Sequence, residues 1–438
     1  MTKEKFYKEY YGSPVIRNLV KDQFKDAAFA VGSGPFLKEQ KWDFPVRIAG
    51  VSDLDSFMDQ GLDIYRPARS TGDAFYIFWD LEYYNKKQRS YVYRHQKKVF
   101  EWMEPFIKQI NARLNAYGIN YIIDTTASGY HYWMKISKKS AVFRMLAEEG
   151  FSSESLRKKY ARVSPRDIKR VMPVHCSEGR AYDCAGKLLE YISQRIRREM
   201  AKGAAKLDIT ISDSPIPGSG RHEGFSSDIT QYAHPLYMRV FRVMASLHQK
   251  NILYYGGKTP AVDIVRRKGM SVDKVLECMW SAGKAVGLFH NFYPELNYSN
   301  DGFAKLFSEY KKSEVRALHR EFELARPEEL NIEDEPEKIK KSFTAAHANP
   351  ALLEPSVLQQ MINHYSAESP ERLKGALEII ARYYNDPSYL WYNSSRFTGI
   401  DWKKYDASQS AHFWGRIYFT QYKLDNGGTA LIRRIKNG

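Results

Sequence analysis

The feature that most constrains this sequence is the unbroken apolar run 74–79, Ala-Phe-Tyr-Ile-Phe-Trp, which leads directly into Asp80, Leu81 and Glu82. Such a run predicts a central strand that is buried on both faces. Side chains two residues apart on a strand point to the same face, so Asp80 and Glu82 should project side by side. Neighbouring carboxylates repel each other, and a divalent cation with oxygen ligands relieves that repulsion. The pair therefore predicts a metal site, although an acid-x-acid pair alone is more typical of a solvated strand end.

The pattern after this run is typical of an α+β fold. An amphipathic helix extends from Val99 to Leu114 and ends at Gly118. Two strands joined by a short turn follow within residues 120–136. Strand, helix and hairpin in this order predict a sheet with a helix packed against it.

The rest of the chain is predicted to be mainly helical, apart from a strand at 206–211. The helical pattern begins again at Pro235, and an acidic, polar stretch from Glu328 to Pro336 predicts a linker. We therefore predict an α+β domain at 1–235, a helical region at 236–327, a linker at 328–350 and a small helical domain at 351–438.

Composition narrows the class of protein. The 438 residues are 43% hydrophobic and carry a net charge of +16, which favours a folded protein with a polyanionic partner. No apolar run is long enough to span a membrane, and the charged N-terminus is unlike a secretion signal. Three cysteines are too few for a disulfide framework. We expect a cytoplasmic protein that does not associate with membranes.

A second candidate element is Ser128-Gly129-Tyr130-His131, in the turn and first residues of the later hairpin strand. Glycine lets the backbone approach a ligand closely, and the Ser128 hydroxyl and the His131 imidazole could both donate hydrogen bonds to a phosphate. The alternative is an ordinary hairpin turn with a histidine whose hydrogen bonds are satisfied in the core.

A third candidate element is Asp208, on the predicted strand before a turn-rich loop that contains Ser219, Arg221 and His222. A third carboxylate would complete a metal site. The loop would bring a hydroxyl, a guanidinium and backbone amides to a triphosphate. Considered alone, the loop is more typical of a capped turn with a surface arginine.

In their order and spacing, the three elements resemble the three signature motifs of the archaeo-eukaryotic primase superfamily, most closely those of the small catalytic primase subunit. The resemblance covers roughly residues 1–235 and includes the tyrosine-rich start at 6–11. It implies a catalytic core with an RRM-like sheet and a second α/β unit, followed here by an all-helical C-terminal region. It also implies that Asp80, Glu82 and Asp208 bind two Mg²⁺ or Mn²⁺ ions and carry catalysis.

The resemblance further implies that Ser128 and His131 contact the phosphates of the incoming nucleotide. The complete nucleotide-binding set that we predict is Ser128, Gly129, His131, Ser219, Arg221 and His222.

Three positions depart from the family pattern. The second acid of the first motif is usually aspartate, but the longer Glu82 should still reach a metal. In the third motif Pro215 stands where an arginine is usual, and His222 is shifted by about one residue. Arg221 is the candidate substitute for the missing charge.

Many small primase subunits carry a zinc-binding insertion between the second and third motifs. This region contains His175, Cys176 and Cys184. Structural zinc requires four ligands, and only three candidates lie close together in the sequence, so we favour ordinary thiols over structural Zn²⁺.

The sequence thus predicts a DNA primase or primase-polymerase that uses nucleoside triphosphates on a single-stranded DNA template. A helicase or another replication protein is an expected partner. One alternative is a gap-filling repair polymerase with the same fold. Another is a non-catalytic replication-initiation protein that binds nucleic acid, an alternative that the motif departures keep open.

Overall fold

The computed structural model describes residues 2–34, 37, 46–85, 87–153, 175–200, 207, 209–211, 223–233, 240–348, 355–383 and 407–426. Over these ranges the protein is a mixed α+β molecule whose C-terminal part is helical. The predicted α+β class is confirmed at this level. None of the described helices is both long and apolar enough to cross a membrane.

The α-helices in chain order are α1 Lys3–Tyr11, α2 Pro14–Asp22, α3 Leu54–Asp59, α4 Tyr91–Arg94, α5 Gln96–Tyr117, α6 Ala141–Glu149, α7 Cys176–Met200, α8 Lys250–Tyr255, α9 Val272–Met279, α10 Ala282–His290, α11 Asn300–Lys311, α12 Glu314–Leu324, α13 Glu337–Ala348, α14 Pro355–Glu368, α15 Pro370–Tyr383 and α16 Ala407–Asn426. The strands are β1 Ala30–Ser33, β2 Val46–Ala49, β3 Asp63–Pro67, β4 Ala74–Asn85, β5 Ile122–Thr125, β6 Gly129–Ser137, β7 Ile209–Ile211, β8 Glu223–Asp228, β9 Val240–Arg242, β10 Leu247–His248, β11 Ala261–Val262 and β12 Ile264–Val265.

Two sheets organise the first part of the chain. The larger has six strands in the order β12-β5-β6-β4-β8-β7, and the smaller has four in the order β2-β1-β3-β9. A short antiparallel pair, β10 with β11, lies in the chain between β9 and β12. Because β9 belongs to one sheet and β12 to the other, residues 240–265 connect the two sheets.

Strand β4 is the long central strand that the apolar run predicted. It lies between β6 and β8 and is antiparallel to both. Phe75, Ile77, Phe78 and Leu81 are each no more than 2% exposed, so the run is buried on both of its faces. Helix α5 covers the predicted helical segment and ends at Gly118, whose φ of 74° is a left-handed conformation that favours glycine.

The helical pattern predicted from residue 236 is wrong for four short stretches within residues 240–265, which form strands β9 to β12, although Lys250–Tyr255 is helical. Strand β9 pairs with β3, and β12 pairs with β5. Each of the four strands has only two or three residues, so none is long enough to show a period of two in the sequence. The conformations of β9 and β12 come from pairing with strands more than a hundred residues earlier, whereas β10 and β11 pair with each other. The sheets therefore extend past the domain boundary that we placed at residue 235.

The segment predicted as a linker, 328–350, is only partly irregular. Residues 325–331 have no regular secondary structure, but α13 occupies Glu337–Ala348. Its buried Ile339 and Phe343 provide the apolar face that a helix needs.

The last helices are attached to α7 through buried charges. Helix α16 places Arg416, which is 0% exposed, against Asp183 and Glu190 of α7. The full set, which we call the C-terminal docking network, comprises Asp183, Lys187, Glu190, His319, Glu323, His412 and Arg416.

Candidate active site

The register between β4 and β6 brings two of the predicted motifs together. Asp80 lies opposite His131, and Glu82 lies opposite Gly129. Nε2 of His131 is 3.6 Å from Oδ1 of Asp80. The Ser128 hydroxyl donates to Oε1 of Glu82 at 3.3 Å. Glu82 and Ser128, 46 positions apart in the chain, are thus hydrogen-bonded where β6 begins beside the interior of β4.

Gly129 allows this close packing of the two motifs. A Cβ at position 129 would lie 2.0 Å from the carbonyl oxygen of Leu81 and 2.9 Å from Cα of Glu82. Both contacts are with backbone, which cannot move aside as a flexible side chain can. We predicted that Gly129 permits close approach of a ligand; the structure shows close approach of the β4 backbone.

The two carboxyls of β4 resist simultaneous ionisation. Burial, reinforced by repulsion from Glu82 and Asp228, raises the pKa of Asp80 well above its ordinary value. Burial also opposes ionisation of Glu82, but attraction to Lys250 lowers the pKa of Glu82 overall. Asp80 therefore keeps its proton to a higher pH than an ordinary aspartate, while the neighbouring Glu82 is charged.

Asp80 and Glu82 have the properties expected of metal ligands. The Asp80 side chain is 24% exposed, so an ion can reach it from solvent. Its Oδ1 is nevertheless buried and has no hydrogen-bond partner. Two carboxylates on one face, one with an unsatisfied oxygen, suit a hard divalent cation such as Mg²⁺ or Mn²⁺. The donors that the structure describes therefore fit the predicted ions.

Several predicted site residues lie outside the described residues. These are Asp208, Ser219, Arg221 and His222. Strand β7 begins directly after Asp208 and pairs in parallel with β8.

A second group of acids adjoins the motifs and was not predicted as part of the site. Asp124 on β5 lies opposite His131, with its Oδ2 4.0 Å from Nδ1 of the ring. Asp263 directly precedes β12, the strand that pairs with β5. One possible ligand atom each from Asp124, His131 and Asp263 lie within 4.8 Å of one another. We refer to these three residues as the buried triad.

Arg242 connects the buried triad with the smaller sheet. Its guanidinium lies 3.5 Å from Asp263 and 3.6 Å from Asp63, and its Nη1 is 2.8 Å from Nδ1 of His248. Burial raises the pKa of Asp263 to about 8 and that of Asp63 to about 6, although Arg242 opposes both shifts. The single positive charge of Arg242 therefore does not fully offset the cost of burying the charged forms of Asp63 and Asp263.

The sequence contained a signal for two of the missed acids. Asp124 follows the apolar pair Ile122-Ile123, as Asp80 follows its own apolar run. Asp263 interrupts the run Ala-Val-Asp-Ile-Val at 261–265. An acid inside a short apolar segment indicates a buried, functional carboxyl. Arg242 and Lys250 gave no such signal, because only the tertiary fold brings them to the site.

A cavity of about 260 Å³ lies beside Tyr93, at the start of the helices that follow β4. Arg94 and Lys258 are its basic lining residues, and the rings of Tyr93 and Tyr255 stack at 4.8 Å. The Tyr93 hydroxyl is close enough to Lys250 and Glu82 for both to shift its pKa, which burial raises most. Tyr93 is therefore the lining residue that connects the cavity with the carboxylate site.

The described residues do not support a zinc site at His175, Cys176 and Cys184. Cys176 and Cys184 lie on the same helix, α7, eight residues apart. That spacing separates them by about 12 Å along the helix axis, which is too far for one ion to bridge. The only described cluster of metal-ligand type is the buried triad.

Comparison with protein-family models gave no match, and a search of curated protein sequences found no significant relative.

Proposed function

We propose that this protein is a metal-dependent nucleotidyltransferase of the primase kind, which makes short oligonucleotides on single-stranded DNA from nucleoside triphosphates. The observation that carries the proposal is the contact between the two motifs. Asp80 and Glu82 lie side by side on β4, with His131 3.6 Å from one carboxylate and Ser128 hydrogen-bonded to the other. Metal ligands and phosphate donors at this separation suit phosphoryl transfer.

Asp80 and Glu82 are the residues that would hold the divalent cation. A bound cation would stabilise the negative charge that develops on the phosphoryl oxygens and activate the attacking hydroxyl. The two side chains keep their oxygens on one strand face, so the donors are oriented before the ion arrives. Such preorganisation avoids a reorganisation cost during the reaction.

His131 is suited to act as a neutral hydrogen-bond donor. Burial, with repulsion from Arg242, lowers the pKa of His131 to about 3. The ring is therefore uncharged at neutral pH and carries one N–H. Its side chain is 13% exposed, so a phosphate oxygen can approach from the open side of the site. Ser128 would supply a second donor once the hydroxyl leaves Glu82.

Basic and aromatic groups around the carboxylates support a nucleotide substrate. Lys250 keeps its charge, because attraction to Glu82 and Tyr93 raises its pKa. Arg94 and Lys258 in the adjoining cavity could bind phosphate oxygens. The stacked Tyr93 and Tyr255 offer an aromatic surface of the kind that binds bases. The net charge of +16 is consistent with a nucleic-acid template.

The decisive experiment is primer-free synthesis on single-stranded DNA with Mg²⁺ or Mn²⁺, comparing wild type with Asp80→Asn. Wild type should make short products, and Asp80→Asn should make at least about a hundredfold less. The matched control is Asp273→Asn. Asp273 is a 67%-exposed aspartate paired with Lys97 on the surface, where such a substitution has little effect.

The other outcomes separate the alternatives. Extension only when a primer is supplied would indicate a gap-filling polymerase with the same fold. If neither metal supports incorporation while single-stranded DNA still binds, the enzyme proposal is wrong and a nucleic-acid-binding protein is left.

A further inference from the structure

The buried triad has polar atoms that no hydrogen bond satisfies. Asp124 is 0% exposed, and neither of its carboxylate oxygens has a hydrogen-bond partner. Nδ1 of His131 is likewise buried without a hydrogen-bond partner, and Oδ2 of Asp263 has no hydrogen bond but lies 3.5 Å from the Arg242 guanidinium. A buried carboxylate that has neither a hydrogen bond nor a counter-ion is strongly unfavourable, so this arrangement calls for a further stabilising partner.

Neighbouring side chains do not provide that partner. Among the described residues, the only basic group within 4.0 Å of Asp124 is the His131 imidazole, whose Nδ1 is 4.0 Å from Oδ2 and forms no hydrogen bond with it. Arg242 lies near Asp263, but Asp63 shares it. Asp124 is therefore the carboxylate that lacks a compensating charge, and it is one of the three residues whose ligand atoms lie close together.

We infer that Asp124, Nδ1 of His131 and Asp263 form a second, buried cation site, separate from the Asp80–Glu82 site. One ligand atom from each of the three residues lies within 4.8 Å of the other two, and Nδ1 is the His131 nitrogen that is 4.0 Å from Asp124. The three residues come from segments that the sheet register holds in place. This inference goes beyond the proposed function and does not depend on it.

The donors indicate which ion the site would take. Two carboxylates with one imidazole nitrogen suit Mn²⁺ or Zn²⁺ better than Mg²⁺, which prefers oxygen ligands and retains its waters. Three protein ligands leave a coordination position for water. The ion would bring two positive charges to the unsatisfied carboxylates.

The site would also orient His131. The ring would bind the buried ion through Nδ1, which fixes the proton on Nε2, and Nε2 is the atom 3.6 Å from Asp80. A ligand that holds one ring nitrogen determines the tautomer and direction of the other. The buried ion would thus act as a positioning element for the residue facing the Asp80–Glu82 site.

The test measures metal content in a background without the outer site, Asp80→Asn/Glu82→Gln. The chelated protein is incubated with Mn²⁺ or Zn²⁺ and desalted, and its metal is measured by mass spectrometry. We expect about one ion per chain in this background. Adding Asp124→Asn or Asp263→Asn should reduce the content to near zero, while adding the surface substitution Asp273→Asn should leave it unchanged.

Pulsed electron paramagnetic resonance of the Mn²⁺ form gives a second readout that needs no change to the triad. A histidine ¹⁴N coupling should be present in the Asp80→Asn/Glu82→Gln background. Circular dichroism checks that each variant is folded.

Three results would overturn the inference: no bound Mn²⁺ or Zn²⁺ in the folded background, binding that survives Asp124→Asn, or bound Mn²⁺ without nitrogen coupling. The first is expected if Asp124 and Asp263 share a proton instead of a metal. These measurements use no nucleotide or DNA, so a failure of nucleotidyl transfer would not affect them.

Discussion

The candidate active site and the C-terminal docking network both bury several carboxylates, but they differ in how those carboxylates are paired. In the network each carboxylate has two basic partners. Asp183 lies 2.9 Å from Arg416 and 3.3 Å from Lys187, and Glu190 lies 3.5 Å from Arg416 and 3.1 Å from His319. Glu323 is paired with Lys187 and with His412. At the active site, Asp80 and Asp124 each have only the imidazole of His131 within 4.0 Å among the described residues.

The pKa shifts follow this difference. Burial raises the pKa of both Asp80 and Asp124 well above the ordinary value. In the network burial acts in the same direction but is outweighed. Lys187 and Arg416 lower the pKa of Asp183 to about 2, and His319 and Arg416 lower that of Glu190. Burial thus has opposite net results in the two regions, and the scarcity of basic partners around Asp80 and Asp124 is what we expect of a site that binds a cationic ligand.

The largest effect should follow from breaking the network. Arg416→Met would leave Asp183 and Glu190 buried without their shared guanidinium, at a cost of about 3–5 kcal/mol in the free energy of unfolding. Urea unfolding followed by circular dichroism measures it. A loss below about 1 kcal/mol would show that the network does not hold the C-terminal helices.

Gly129→Ala tests the contact between the two motifs. The new methyl group would overlap the backbone of Leu81 and Glu82, so we expect a loss of about 1–3 kcal/mol in stability and a fall in nucleotide incorporation. The control is Gly287→Ala in α10, where nothing lies within 4 Å of the new Cβ. That helical substitution should stabilise the protein by up to about 1 kcal/mol. Equal thermal shifts in the two variants would contradict the proposed steric role.

Acid should weaken the network through Asp183. Its folded-state pKa of about 2 lies below the ordinary value, so its ionisation stabilises the fold above about pH 4. That contribution, about 2 kcal/mol, is lost as the pH falls from 4 towards 2. The difference in unfolding free energy between wild type and Asp183→Asn should therefore shrink between pH 5 and pH 3. A constant difference across this range would mean that Asp183 is not stabilised by its cations.

The smallest effect should come from the same type of substitution at the active site. With chelator present, Asp80→Asn removes a carboxyl that is repelled by its neighbours, so stability should stay constant or rise by up to about 1 kcal/mol. Thermal unfolding in chelator, beside Asp183→Asn, measures the contrast. A clear loss of stability in Asp80→Asn would indicate that this carboxyl is structural.

Much of the site could be predicted because its signals are local. The run before Asp80 specified a buried strand, and the spacing of Asp80 and Glu82 placed both on one face. The hairpin around Ser128 and His131 was visible for the same reason. That the two motifs contact each other could be predicted only from the family resemblance, because strand register depends on the whole sheet.

The missed parts depend on long-range pairing. Strands β9 to β12 are too short to show periodicity, so residues 240–265 were read as helical and Arg242, Lys250 and Asp263 were overlooked. Asp124 was visible at a strand end but had no partner in the sequence to mark it. Its role follows only when β12 is placed beside β5.

Arg416 determines where the chain can be shortened. A protein truncated before α16 would lose Arg416 and His412 together, leaving Asp183, Glu190 and Glu323 without three of their six basic contacts. The truncation would also remove Phe413, Ile417 and Phe419, which are fully buried, and would expose the apolar surfaces against which they pack. Expression designs for the region that contains the two sheets should therefore keep residues 407–426, and shorter fragments should first be given apolar replacements for Asp183 and Glu190 of α7.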